Sequence, residues 1–202
     1  MSISLEKGQR ISLEKNGNKL DSVCVGVNWG AIEKKGFFGT KKVAVDLDAS
    51  ISLHGVDKQP TDVVFYGQLS SKDGSIKHSG DDLTGDLDGD DGLDNEIITI
   101  NLKNVPASTD KLAIILNSFQ GQDFSQIPFA SVRLYEGTPT RVDSVMASYN
   151  IAREDKFKGS VSMILGILYR NKDDWKFKAV GEPTKDRKLQ DTIATVSANY
   201  LN

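Results

Sequence analysis

The sequence predicts a mainly β protein: a β-sandwich of two antiparallel or mixed sheets with a C-terminal helix, in one domain spanning residues 1–202. Three observations lead there. Apolar and polar residues alternate in about nine to eleven short runs separated by turn residues. No strand–helix–strand alternation occurs. A single helical period, Leu189, Ile193, Val196 and Tyr200, stands near the end and is spaced to pack one face on the sandwich. A chain of this length buries a sizeable core without covalent staples, and a lone cysteine, Cys24, excludes an internal disulfide framework.

The first element is a repeated pentapeptide, Ile3–Lys7 and Ile11–Lys15, which reads as two short strands about a turn. Val23, Val25 and Val27 then alternate with Cys24 and Gly26 up to Trp29, so the thiol faces away from the valines. From Val43 to Leu53 the alternation is nearly unbroken. Val43, Val45, Leu47, Ala49, Ile51 and Leu53 share one face; Asp46 and Asp48 stand among serines on the other. Further strands are predicted at 63–69, 96–102, 112–117, 130–135, 142–150, 161–169 and 175–180, the last two joined by a turn at 171–174.

Between two of these strands lies the densest chemistry in the chain. Residues 80–96 carry Asp81, Asp82, Asp86, Asp88, Asp90, Asp91, Asp94 and Glu96 with no Lys or Arg, punctuated by Gly80, Gly85, Gly89 and Gly92. Carboxylates this close repel one another, and a hard divalent ion relieves the repulsion; Ca²⁺ accepts ~6–8 oxygens at ~2.3–2.6 Å. Zn²⁺ and Cu²⁺ want thiols or imidazoles, and the chain has one Cys and two His. Calcium leads and Mg²⁺ follows. The spacing is not an EF-hand, because, counting from Asp86, Asp91 stands where glycine is required and Ile97 where a bidentate Glu is required. Asp46 and Asp48, roughly 6.5–7 Å apart along a strand, join the site only if the loop lies over them. The competing readings are a solvated charge block and a solvated sheet face.

The formal charge is −3, and all of that acidity is local: outside the loop the chain is net positive. A metal-free loop should therefore attract the chain's own lysines. The start of the chain shows no apolar leader or lipidation motif and no run of ~20 apolar residues occurs, so a cytoplasmic protein is expected, associated with membrane at most peripherally. His54 and His78 flank turns, where an imidazole is ordinarily solvated. No P-loop or GxGxxG supports nucleotide binding, and no nucleic-acid partner is expected. In Lys34–Lys42 two aromatics, Phe37 and Phe38, lie among four lysines. Such a loop suits an anionic membrane interface, unless the rings pack back on the sheet.

These residues resemble the TerD-type tellurium-resistance and stress-response family, its TerZ-like branch in particular, over nearly the whole chain. The resemblance rests on Val43–Ser50, on 71–85, on Gly89-Asp-Asp91, on Val105-Pro-Ala107, on Asn117–Phe124 and on Trp175–Gly181. It implies a calcium-binding β-sandwich from bacterial or phage resistance clusters without enzymatic activity of its own, working with other proteins of a resistance or stress assembly. One or two Ca²⁺ would be held by Asp46, Asp48, Asp81, Asp82, Asp86, Asp88, Asp90, Asp91 and Glu96. Two departures bear on that set: Gly92–Asn95 separates the Gly-Asp-Asp from Glu96, and Gly30 follows Trp29 where the family has Asp. Reduction of tellurite by the chain itself is disfavoured, since Cys24 has no second thiol to resolve it.

Overall fold

Apolar alternation builds two sheets whose inner faces meet in one core. The structure, a computed structural model, describes residues 8–15, 17–37, 39–151, 155–172 and 174–202. In chain order the strands are β1 (Arg10–Ser12), β2 (Glu14–Lys15), β3 (Asn18–Lys19), β4 (Val23–Trp29), β5 (Ile32–Gly36), β6 (Gly39–Val43), β7 (Leu47–His54), β8 (Pro60–Val64), β9 (Ile76–His78), β10 (Glu96–Ile100), β11 (Lys111–Ser118), β12 (Ala130–Thr138), β13 (Arg141–Asn150), β14 (Ser162–Asn171) and β15 (Asp174–Thr184), followed by helix α1 (Leu189–Asn199). One sheet runs β1-β15-β14-β11-β7-β8, the other β13-β12-β4-β10-β9, while β2-β3 and β5-β6 form two-stranded ribbons. The ladders pair antiparallel, as in β4 with β10 and β12 and β7 with β11 and β8.

The inward faces are those the alternation named. Val23, Val25 and Val27 of β4 meet Leu47, Ala49, Ile51 and Leu53 of β7 in a single buried cluster. Cys24 points the other way, into a small separate cluster with Ile97 and Tyr135. Helix α1 covers the outer face of the six-stranded sheet: Leu189, Ile193, Val196 and Tyr200 pack on Ala113, Ile115, Ile164, Ile167 and Val180. This is the stripe the helical spacing predicted.

Three expectations need correcting. The second pentapeptide is not one strand, because the chain breaks at Leu13, sending β1 to pair with β15 and β2 with β3; the first copy lies outside the described residues. The strand expected at 63–69 sits earlier, at β8, because Phe65 and Gln68 close a turn on each other through paired backbone bonds. The run Val43–Leu53 is interrupted at 44–46, where the backbone leaves the ladder between β6 and β7. That interruption places Asp46 just before a strand rather than within it.

Candidate metal centre

The polar face of β7 is covered, not solvated. Asp46 and Asp48 are only 3% and 6% exposed, and Ser50 beside them is fully buried. The acidic loop is what crosses here: Val45 N–H donates to Thr84 O (3.1 Å), and Asp81 from the loop comes alongside. Carboxylate oxygens of Asp46, Asp48 and Asp81 lie within 4.8 Å of one another. Asp46 Oδ1 is buried without a hydrogen-bond partner, and an unsatisfied buried acceptor is costly unless a cation or donor arrives. Burial first, and then the charges of Asp81, Glu96 and Asp82, push the Asp46 carboxyl up to about 6. Burial, then Asp46, Glu96 and Asp81, push Asp48 up to about 8.

The loop is stitched to the end of β4. Asp86 N–H donates to Trp29 O (2.9 Å) and Ala31 N–H to Asp86 O (3.1 Å), a short parallel bridge. The buried Trp29 indole N–H donates to Val45 O (2.7 Å), tying β4 to the approach of β7. Gly85 turns beneath that ring at φ +64°, where a Cβ would lie 2.4 Å from the indole, so a side chain there is excluded twice over. Asn95 pins the far end: its N–H donates to Val27 O (2.8 Å), its Oδ1 accepts from Trp29 N–H (2.9 Å), and its Nδ2 donates to Asp86 Oδ1 (3.0 Å).

This path gathers a second cluster, Asp86, Asp90 and Asp91, again with carboxylate oxygens within 4.8 Å of one another. Asn28 joins it, donating from Nδ2 to Asp90 Oδ1 (3.0 Å) while its own Oδ1 is buried without a partner. Sequence reasoning missed Asn28. Its position next to Trp29, on the outward face of β4, was the available signal. At Gly30 a Cβ would lie 2.3 Å from the Phe129 ring.

The other acidic side chains of this region have partners within the protein. Asp82 Oδ1 accepts from Thr84 N–H and Gly85 N–H (2.9 Å each) and from the Thr84 hydroxyl (3.1 Å). Burial raises its carboxyl, but these bonds outweigh burial and hold it below the usual value. Glu96, fully buried, accepts from Ala49 N–H (2.8 Å) and Asp82 N–H (3.3 Å), locking β10 to β7 behind the first cluster. Asp88 is exposed and pairs with Lys42 at 2.9 Å, the contact between acidic loop and basic hairpin that the charge distribution anticipated. Asp94 reaches Arg133 at 2.9 Å.

Both histidines are buried, contrary to the solvated setting expected of them. His78 Nδ1 accepts from Gly80 N–H (3.1 Å), leaving Nε2 to donate to Ala49 O (3.2 Å). His54 Nε2 lies 2.8 Å from Ser52 Oγ, and burial lowers its pKa. His54 takes its partners from its own strand and the following loop, and His78 from β7 of the facing sheet and from Gly80.

A β-sandwich whose loop and sheet gather oxygen-only acidic clusters is a candidate metal-binding domain of the all-β class. Comparison with known families matches residues 1–195 to the TerD domain, and the chain belongs to that family. It is 37% identical over 205 residues to stress response protein SCP2 of Bacillus subtilis (strain 168), covering 96% of this chain and 98% of that protein. It is 33% identical over 192 residues to tellurium resistance protein TerZ of Serratia marcescens, with 94% of each chain covered. A solved homologue of telluride resistance protein (TerD) from Streptomyces coelicolor A3(2) has the same fold, with a TM-score of 0.66 at 17% identity over 85% of this chain and 94% of that one.

Proposed function

We propose that the chain is a non-enzymatic calcium-binding module of a stress or tellurium-resistance system, in which the cation sets the shape of a surface read by partner proteins. The observation that carries this reading is the pairing of each oxygen-only cluster with a buried, unpartnered oxygen, Asp46 Oδ1 at the first and Asn28 Oδ1 at the second. Asp46, Asp48 and Asp81 would hold one ion; Asp86, Asp90, Asp91 and Asn28 would hold another. Asp82, Asn95 and Glu96 position these side chains, and Asp88 with Lys42 joins the loop to the hairpin. Bound calcium supplies the positive charge that lets the carboxylates stay ionised while buried.

Support for a non-catalytic role comes from where reactive groups sit. Cys24 is buried with its thiol pushed up by burial, and the Ser52–His54 pair is sealed from solvent, so neither presents a nucleophile to a substrate. Calorimetric titration of chelator-stripped protein is expected to show Ca²⁺ binding that excess Mg²⁺ weakens and equimolar Zn²⁺ does not reproduce. Absence of a Ca²⁺ isotherm overturns the reading.

A second reading, peripheral membrane contact regulated by the same ions, is favoured by one observation. Phe37 is 96% exposed at the tip of the β5–β6 hairpin, which carries Lys34, Lys35, Lys41 and Lys42. Phe38 lies outside the described residues. Each Lys near an anionic surface contributes about 1 kcal/mol of attraction. Among the described residues no helix is long and apolar enough to cross a membrane. Phe37→Ser is expected to reduce co-sedimentation with phosphatidylserine vesicles several-fold while leaving Ca²⁺ affinity unchanged; equal sedimentation of both proteins removes this reading.

A further inference from the structure

A cleft of about 330 Å³ lies between the N-terminus of α1 and the outer face of the six-stranded sheet at β7 and β11, close to the lower size limit of sites that take small organic ligands. Its two ends differ in chemistry. At the floor lie Ser50 Oγ and Asn117 Oδ1, both buried and both without a partner. The Asn117 amide is oriented by its other end, where Nδ2 donates to Ser162 Oγ (2.6 Å) and Thr192 Oγ1 (3.4 Å), so its oxygen is held in place with its acceptor capacity unused. At the mouth stand the exposed Arg187 and Lys188, the latter occupying the N-cap of α1 without a side-chain capping bond. The first-turn N–H groups of a helix lack intrahelical partners and carry the positive end of its dipole. Asp191, the acidic residue of that turn, does not line the cleft.

The walls are aromatic. Tyr66 and the 61% exposed Phe119 meet edge to face, ring centroids 5.7 Å apart, an arrangement that leaves apolar ring surface open to the cleft. Asp48 also borders the floor, and the positive groups of the cleft, Arg187, Lys188 and the first turn of α1, all stand at the other end. We propose that this cleft binds a small aromatic acid: a carboxylate or phosphate at Arg187, Lys188 and the α1 N-terminus, a flat body against Tyr66 and Phe119, and a hydroxyl or amino donor bonded to Asn117 Oδ1 and Ser50 Oγ. The site differs from the cation clusters in its ligand class and borders the first of them, through Asp48 and through Tyr66, whose hydroxyl feels the charges of Asp48, Asp81 and Asp46.

Three matched probes test each end. 3-(4-Hydroxyphenyl)propionate carries anion, ring and donor; tyramine replaces the anion with a cation; 3-phenylpropionate lacks the donor. Amide and side-chain shifts in ¹H–¹⁵N spectra of the full chain, with Ca²⁺ and separately with EGTA, are expected to map 3-(4-hydroxyphenyl)propionate to Asn117 and Leu189–Gln190, with tyramine and 3-phenylpropionate each bound at least tenfold more weakly. Arg187→Glu with Lys188→Glu, both on exposed residues, is expected to weaken the anionic probe at least tenfold while leaving Ca²⁺ titration unchanged. Equal binding of all three probes, an unchanged affinity in the double variant, or no shifts at Asn117 in either buffer overturns the proposal. A missing Ca²⁺ isotherm with intact probe binding overturns only the calcium reading.

Discussion

Asp48→Asn raises the thermal midpoint of the chelator-treated protein at pH 8 and abolishes the part of its gain on adding Ca²⁺ that the Asp46–Asp48–Asp81 cluster supplies, leaving the part that belongs to Asp86, Asp90 and Asp91. The sign follows from burial. Folding lifts Asp46 to about 6 and Asp48 to about 8, so the folded state binds protons more tightly than the unfolded chain, whose Asp titrates at about 3.9. A raised acid contributes stability that is complete below the unfolded value and lost as pH climbs through the folded value. Metal-free wild type should therefore melt progressively lower between about pH 4 and about pH 8, and Asp48→Asn should remove the later part of that decline, above about 6. Calcium acts oppositely, displacing protons and stabilising by ~2.7 kcal/mol at a hundredfold excess over Kd, which is roughly 5–11 °C for a chain of this size. A metal-free midpoint that falls on Asp48→Asn, with the Ca²⁺ gain intact, sinks the buried-carboxylate account.

Trp29→Ala is expected to be the most damaging single change near the site. The ring is fully buried, lies against Gly85 and donates to Val45 O, so truncation opens a cavity and orphans a carbonyl. Large aromatic truncations cost about 3–5 kcal/mol, or roughly 6–20 °C here. Trp29→Phe separates the two parts, keeping most of the burial and losing only the N–H, for about 1–3 kcal/mol. Both variants should weaken Ca²⁺ binding, because β4, the loop and the start of β7 meet at this indole. Denaturant melts and calorimetry check this; a Trp29→Ala loss below about 1 kcal/mol would show that the loop is held by something else.

The sequence made β4, β7, β11 and α1 legible because each has an apolar period sustained over several residues. It misplaced β8, whose end is set by the mutual turn of Phe65 and Gln68 rather than by the run of apolar residues. The charge density of the acidic loop led to the expectation of a cation site, but did not show how its carboxylates group. Asp81 goes to the sheet with Asp46 and Asp48, whereas Asp90 goes with Asp86 and Asp91. Changes at Asp48 and Asp90 should accordingly combine nearly additively, while Asp48 and Asp81 should couple. Asn28 and Asn95 were invisible because neutral amides carry no charge signal; only the paths of β4 and the loop show that one ends beside Asp90 and the other beneath Asp86.

The strand order has a kinetic consequence. Strand β4 finds its two neighbours, β10 and β12, only after the chain has closed on segments roughly 70 and 100 residues away, and β7 waits similarly for β11. Topologies ruled by such distant pairings fold slowly, since loop-closure entropy is spent before the contacts return it. The acidic clusters cannot exist until β4 and β7 are both in place, so an ion that binds only there has no early structure to grip. Its influence falls on the rate of escape from the native state rather than on the rate of arrival, and a chain stripped of metal would reach its fold as quickly as before while holding it for a shorter time.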